Sequence, residues 1–323
     1  MVSRIRGNDN GLSVTHTDRP ALVAFARSSI ARGSKSFRFA SRLFDRTTRE
    51  RVWLLYAWCR KCDDMADGQD HGGMMEAVAD PMERLAIIRN LTAKSLTGEA
   101  TGEPAFDCLG VVARECGLTQ KMADDVIEGF ALDAAEWHPC RETDLYRYCY
   151  HVAGAVGVMM AVIMGVSPDD DVTLDRACDL GLAFQLANIA RDISEDDAAG
   201  RCYLPDDWLA TFDIGPGEHM KPHNRSKLAL MARWLADEAE QYEASARTGA
   251  VALPFRARWA VLSAAGIYGD IARQVRTAGE QAWDQRIYTS KADKLGWVRK
   301  AFVDAVANNP RAMDREGLWT RPR

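Results

Sequence analysis

The chain has 323 residues, 47% of them hydrophobic and 27% charged, with a formal net charge of −5. That balance is ordinary for a soluble globular protein, and it excludes a generic nucleic-acid binder, which would carry a basic footprint. Eight cysteines are sparse for this length and several fall in apolar runs, so they are read as reduced, mostly buried thiols of a cytosolic protein. The N-terminus, MVSRIRGNDNGLSVTHTDRP, has no apolar core and is not read as a secretory signal.

Strand signals are scarce, and helix-period segments dominate. In chain order the periodicity predicts helices over Ala21–Ile30, Thr47–Asp67, Pro81–Leu96, Pro104–Glu115, Lys121–Trp137, Glu142–Met164, Leu174–Asp196, Ser226–Ala246, Arg256–Ala278 and Lys291–Asn308. Pro81 and Pro104 stand where a first helical turn tolerates proline. Loops are expected over 68–74, 97–103 and 214–223, the last containing Gly-Pro-Gly. The most apolar run, Val152–Val166, is shorter than the roughly 18 residues of a membrane span and is read as a buried core helix. Peripheral membrane contact stays open. One all-α domain over 19–308 is expected, between an N-terminal segment (1–18) and a C-terminal tail (309–323), both poorly ordered.

Two acidic helices carry the chemistry. At about 100° per residue, Tyr56, Arg60, Asp63 and Asp67 fall within roughly 60° of one another on a single stripe. Gln185, Asn188, Asp192 and Asp196 form a second stripe about 80° wide, interrupting an apolar helix that carries Leu182, Phe184, Leu186 and Ile189. Either stripe alone reads better as a solvated acidic helix end. Stacked carboxylates repel unless a cation intervenes, and a hard divalent ion such as Mg2+ takes oxygen ligands while keeping part of its water. Facing one another, the stripes would hold several Mg2+ ions and a diphosphate. That arrangement suits ionisation of an allylic diphosphate, whose carbocation needs a dry apolar cavity.

Four motifs follow one another between about residues 30 and 295. They are Ser34-Lys35-Ser36-Phe37; Tyr56-Ala57-x-Cys59-Arg60-x-x-Asp63-Asp64-x-x-Asp67; Tyr148-Cys149-Tyr150-His151-Val152-Ala153-Gly154; and Gln185-Leu186-x-Asn188-Ile189-x-Arg191-Asp192, with Gly200-Arg201-x-Tyr203-Leu204-Pro205 after it. Together they resemble the squalene/phytoene synthase family. LYAWCRKCDD, TLDRACDLGLAFQLANIARDI and GEQAWDQR are most similar to its bacterial, phytoene-forming branch.

The resemblance implies an isoprenoid-synthase helical bundle around a central apolar cavity. It implies head-to-head condensation of two geranylgeranyl diphosphates, through prephytoene diphosphate, to phytoene, with diphosphate released and no NADPH consumed. Carried over residue by residue, it places Mg2+, with Mn2+ as a substitute, on Asp63, Asp67, Asn188, Asp192 and Asp196. Substrate contacts fall on Ser34, Ser36, Phe37, Tyr56, Arg60, Gln185, Arg191, Tyr268 and Arg286, and proton transfer on Tyr148. A phenol with a pKa near 10 is a weak base at neutral pH, so the leaving diphosphate is the alternative proton acceptor. Some relatives making shorter products carry an aromatic residue where this chain has Ser41, and a small side chain there would deepen the tunnel.

Cys59-x-x-Cys62 lacks a second pair at metal spacing and lies deep in a helix, so it is read as packing rather than as a zinc or redox site. His151 is read as a satisfied core residue, and Met159, Met160 and Met164 as core or tunnel wall. The arginines at 38, 42, 46, 49 and 51 are read as a solvated face that could also steer diphosphate or meet anionic lipid. Three rival functions stand beside the main one: squalene or dehydrosqualene synthesis from farnesyl diphosphate, chain elongation or terpene cyclisation, and a non-enzymatic assembly factor of the same fold. Asp63-Asp64-Met65-Ala66-Asp67 satisfies the D-D-x-x-D pattern of elongating enzymes, but the second stripe is of the head-to-head type.

Overall fold

Local capping chemistry sets where the helices begin. Asp45, Asp80, Thr119, Asp170 and Ser290 each accept a hydrogen bond from a backbone N–H in the first turn of the following helix, at 2.9–3.3 Å. The computed structural model describes residues 18–33, 40–68, 80–310 and 312–323. In chain order the helices are α1 (Arg19–Gly33), α2 (Arg46–Ala66), α3 (Pro81–Thr97), α4 (Pro104–Cys116), α5 (Gln120–Ala134), α6 (Glu142–Cys149), α7 (Ala155–Ile163), α8 (Asp171–Ala198), α9 (Asp206–Thr211), α10 (Arg225–Gly249), α11 (Phe255–Ala278) and α12 (Lys291–Ala307). No strand occurs among the described residues. All ten expected helices are present, and the fold is the all-α bundle that the periodicity and the resemblance implied.

Three departures have physical causes. The helix expected over 142–164 is interrupted by a π-helical turn, Tyr150–Gly154. There the Tyr150 hydroxyl donates to Asp125 Oδ2 (2.7 Å), and His151 Nδ1 lies 2.8 Å from the Asp125 carbonyl, so both side chains are tied to α5. α9, at six residues, is too short to show a period. The third concerns the tail. Residues 312–323, expected to be poorly ordered, pack along the back of α8. Arg315 bonds both oxygens of the fully buried Asp179 (2.7 and 2.8 Å), Arg321 pairs with Asp171 and Asp175, and the Trp319 N–H donates to the Tyr242 hydroxyl.

α8 is the central helix, in contact with α7, α10, α11 and the π turn. Glycines permit the closest approach. A Cβ on Gly157 would lie 2.5 Å from the Ala177 carbonyl oxygen, and one on Gly181 would lie 2.5 Å from that of Ala153. Between α7, α8, α10 and α11 runs an apolar cavity of about 400 Å³, walled by Met160, Met164, Ala177, Leu180 and Ala264. Met159 is core. Ala40 and Phe44 also line the cavity, but Ser41 does not. It is fully buried and accepts a hydrogen bond from Trp53 Nε1 (3.1 Å), so its small size does not deepen the tunnel as expected. The far end is closed by Arg176, whose guanidinium bonds Ser245 Oγ (3.1 Å) and the carbonyls of Ser245 and Met313. Among the described residues no helix is long and apolar enough to cross a membrane.

Candidate active site

The first stripe forms on the last turns of α2. Arg60 bridges Asp63 (Nη1–Oδ2, 2.9 Å) and Asp64 (Nη2–Oδ1, 2.5 Å), and Asp67 closes the helix with its N–H on the Asp63 carbonyl. Burial pushes the Asp63 carboxyl above its ordinary range; Arg60 opposes that shift, and Asp67 and Asp64 add to it. Asp63 and Asp67 face a polar cleft of about 1060 Å³ shared with Asp133, Trp137, Arg201 and Tyr203. Tyr56, half-buried one turn earlier, sets its hydroxyl against Gly33 so closely that a Cβ there has no room.

The second stripe rises along α8 from the mouth of the apolar cavity. Gln185 and Asn188 line that mouth with Tyr268, whose ring stacks on Phe184 at 4.3 Å. One turn on, Asp192 is held by Arg191 (Nε–Oδ1, 2.7 Å) and by Arg286 (Nη2–Oδ1, 2.9 Å), and Arg286 also reaches Glu195 (3.1 Å). The loop carrying Arg286 is pinned by Trp283, which donates Nε1–H to the Ala190 carbonyl (3.1 Å). Asp196, on the next turn, is pushed up to about 6, first by burial and then by the Asp192 charge.

Four residues that sequence reasoning did not single out, Trp137, Asp133, Tyr203 and Arg201, line the cleft beside Asp63 and Asp67. Tyr148 is sandwiched between Tyr203 (ring centroids 4.9 Å) and Trp137 (5.5 Å), and its hydroxyl donates to Asp133 Oδ1 at 2.9 Å. Burial and the Asp133 charge push the phenol far up, so its proton stays on oxygen. Asp133 is itself raised by burial, and Tyr203 donates to the same carboxylate oxygen at 3.4 Å. Arg201, the fourth, caps α8 through its N–H on the Asp196 carbonyl (2.8 Å). Its guanidinium stands in the field of Tyr203, Asp133 and Asp67 on one side, and it lowers Asp196 on the other, so one cation joins the two stripes. Arg201 and Tyr203 lie within a matched motif but on no helical stripe that would single them out.

Ser34, Ser36 and Phe37 lie outside the described residues. The two cysteines of the C-x-x-C pair are free, and burial pushes Cys59 up to about 12 and Cys62 well above its ordinary value, as packing thiols require. The four stripe aspartates do not converge on one chelate. Among the described residues, the group of three or more His, Cys, Asp or Glu with ligand atoms all within 4.8 Å of one another is His138, Cys140 and Asp206, on the surface. Two of the stripe aspartates pair with arginines instead, Asp63 with Arg60 and Asp192 with Arg191 and Arg286. An all-oxygen donor set in which burial and neighbouring carboxylates raise Asp63 and Asp196 still fits a hard divalent cation.

The family model described as squalene/phytoene synthase matches residues 30–293. The chain belongs to the squalene/phytoene synthase family. Within that family it is 46% identical over 308 residues to a phytoene synthase of Pseudescherichia vulneris, covering 94% of this chain and 99% of the relative. It is 45% identical over 309 residues to a 15-cis-phytoene synthase of Pantoea ananas, with the same coverage. Among solved structures, a dehydrosqualene synthase in complex with ligand superposes with a TM-score of 0.79 at 26% identity, over 90% of this chain and 98% of that one. A squalene synthase from Alicyclobacillus acidocaldarius, at 24% identity and a TM-score of 0.72 over 82% and 96%, shares the fold.

Proposed function

We propose that this family member is a phytoene synthase, joining two geranylgeranyl diphosphates head to head with loss of diphosphate. The observation that carries this reading is the near-full-length identity to phytoene synthases, about 45% over 94% of the chain. The cavity supports it. Arg176, at the closed end, and Asn188, at the mouth, are separated along α8 by about 18 Å of helix. A geranylgeranyl tail of fifteen C–C bonds, at about 1.2 Å per extended bond, is also about 18 Å long, whereas farnesyl spans only about 13 Å.

Asp63, Asp67, Asn188, Asp192 and Asp196 would hold Mg2+, which when bound would supply positive charge to neutralise the departing diphosphate. Mn2+ is the natural substitute, and NADPH has no part, because phytoene formation involves no reduction. Arg60, Arg191 and Arg286 supply fixed positive charge beside the two stripes, where diphosphate would displace the carboxylates they now hold, and Arg201 adds a further cation in the cleft. The cavity wall beyond Tyr268 is mostly apolar and would let the allylic cation meet the second substrate's alkene before water does. Tyr148 donates to Asp133, which orients the phenol oxygen rather than making it a strong base. The released diphosphate is therefore the better proton acceptor.

Incubating the protein with Mg2+ and each prenyl diphosphate, then separating the hydrocarbons, tests this reading. Phytoene from geranylgeranyl diphosphate, independent of NADPH and abolished by EDTA, is expected. Turnover of farnesyl diphosphate alone would point instead to the squalene and dehydrosqualene branch.

A further inference from the structure

Helix α12 is apolar on two faces. On one, Val298, Ala301 and Ala305 are buried against the bundle. On the other, Leu295, Phe302, Val303 and Val306 are 59, 43, 64 and 61% exposed. At about 100° per residue these four occupy an arc of only about 100°, so they form one stripe. Phe255 extends it, 40% exposed and 5.8 Å ring to ring from Phe302, as does Val251, 39% exposed. Contiguous exposed apolar surface of this kind marks a contact.

The charges around the stripe say what the contact is. α12 carries Lys291, Lys294, Arg299 and Lys300 against Asp293 and Asp304, a local positive excess on a chain whose net charge is −5. By angle Arg299 falls inside the apolar arc itself. Two copies of the chain docked through this face would bring Arg299 against its own counterpart, whereas an anionic headgroup layer would take it, with the aliphatic stem lying among the apolar side chains. We propose that this face of α12, with Phe255 and Val251, lies in the interface of an anionic lipid bilayer, parallel to its plane.

The position has a functional sense. Ala250 and Leu253 line the closed end of the apolar cavity, and the short turn that carries them also carries Val251 and Phe255. The bilayer would thus lie beside the deep end of the tunnel, where a water-insoluble chain is held. That link rests on the function proposed above. The docking face does not, because vesicle binding is read without substrate.

The test is co-sedimentation of the full chain with vesicles of phosphatidylglycerol and phosphatidylcholine, against phosphatidylcholine alone. The wild type is expected to bind the anionic vesicles preferentially. Val303→Glu with Val306→Glu is expected to weaken partitioning about tenfold or more, while Val172→Glu, 70% exposed on α8, leaves it unchanged. Arg299→Glu with Lys300→Glu is expected to remove the preference for anionic lipid. The proposal is overturned if Val303→Glu/Val306→Glu binds as wild type, or if Arg42→Glu/Arg46→Glu on the α2 side abolishes binding instead. It is equally overturned if the wild type is a dimer that the α12 variant turns into a monomer.

Discussion

Tyr148 and Asp133 act as one unit, because the phenol's proton is committed to the carboxylate and both groups are desolvated. Tyr148→Phe leaves Asp133 with its weaker donor, Tyr203 at 3.4 Å, at a cost of about 1–3 kcal/mol. Both Tyr148→Phe and Asp133→Asn are expected to lower kcat/KM. The double variant should be no worse than the poorer single, since coupled residues do not add. A double-mutant cycle in steady-state kinetics reads this directly, and full additivity would dissolve the pair. Asp63→Ala and Asp192→Ala are expected to abolish turnover while circular dichroism and thermal midpoint stay near wild type; near-normal activity in either would remove the metal assignment. At this scale the stripes were readable because polar residues repeat at helical spacing, as with Asp63 and Asp67 or Asp192 and Asp196. Asp133 was hidden, since nothing on its own helix pairs with it and its partners come from α6 and the segment after α8.

The helices themselves were legible, because a 3.6-residue apolar period survives over ten or more residues. What the period cannot carry is how close two helices come. Gly181 sits inside α8, where glycine ordinarily weakens a helix by about 0.5–1 kcal/mol relative to alanine. Here the sign reverses, because a Cβ would strike the Ala153 backbone. Gly181→Ala is therefore expected to destabilise by about 1–3 kcal/mol, lowering the melting midpoint by roughly 2–4 °C per kcal/mol in calorimetry. The π turn was equally invisible, since its cause is Asp125 on another helix. Cavity length belongs to this scale too. Tyr268 stands level with Phe184, so Ala264 lies one turn deeper, near Leu180, where a farnesyl tail would end. Ala264→Phe should raise the kcat/KM ratio of farnesyl over geranylgeranyl diphosphate by about tenfold or more. An unchanged ratio would show that tail length is read elsewhere.

Across the whole molecule, the least legible part was the C-terminal segment, which is polar and carries no period. Its meaning lies in partners up to 152 positions away, which no local pattern reveals. Arg315→Ala leaves Asp179 charged and fully buried without its main partner, expected to cost about 3–5 kcal/mol in urea unfolding. Adding Asp179→Asn should return part of that loss, and a double variant as unstable as the single would contradict the ion-pair account.

That brace has a consequence for assembly of the chain. Asp171, Asp175 and Asp179 lie on the helix that carries Asn188, Asp192 and Asp196, and their arginines lie 136 to 152 positions further along the sequence. During synthesis the acidic back of α8 stays uncompensated until residues 315–323 have emerged. Contacts of such long sequence separation form late. The central helix thus settles only once residues 315–323 can pack on it, and the mouth at its other end matures with the arrival of residues that stand apart from it.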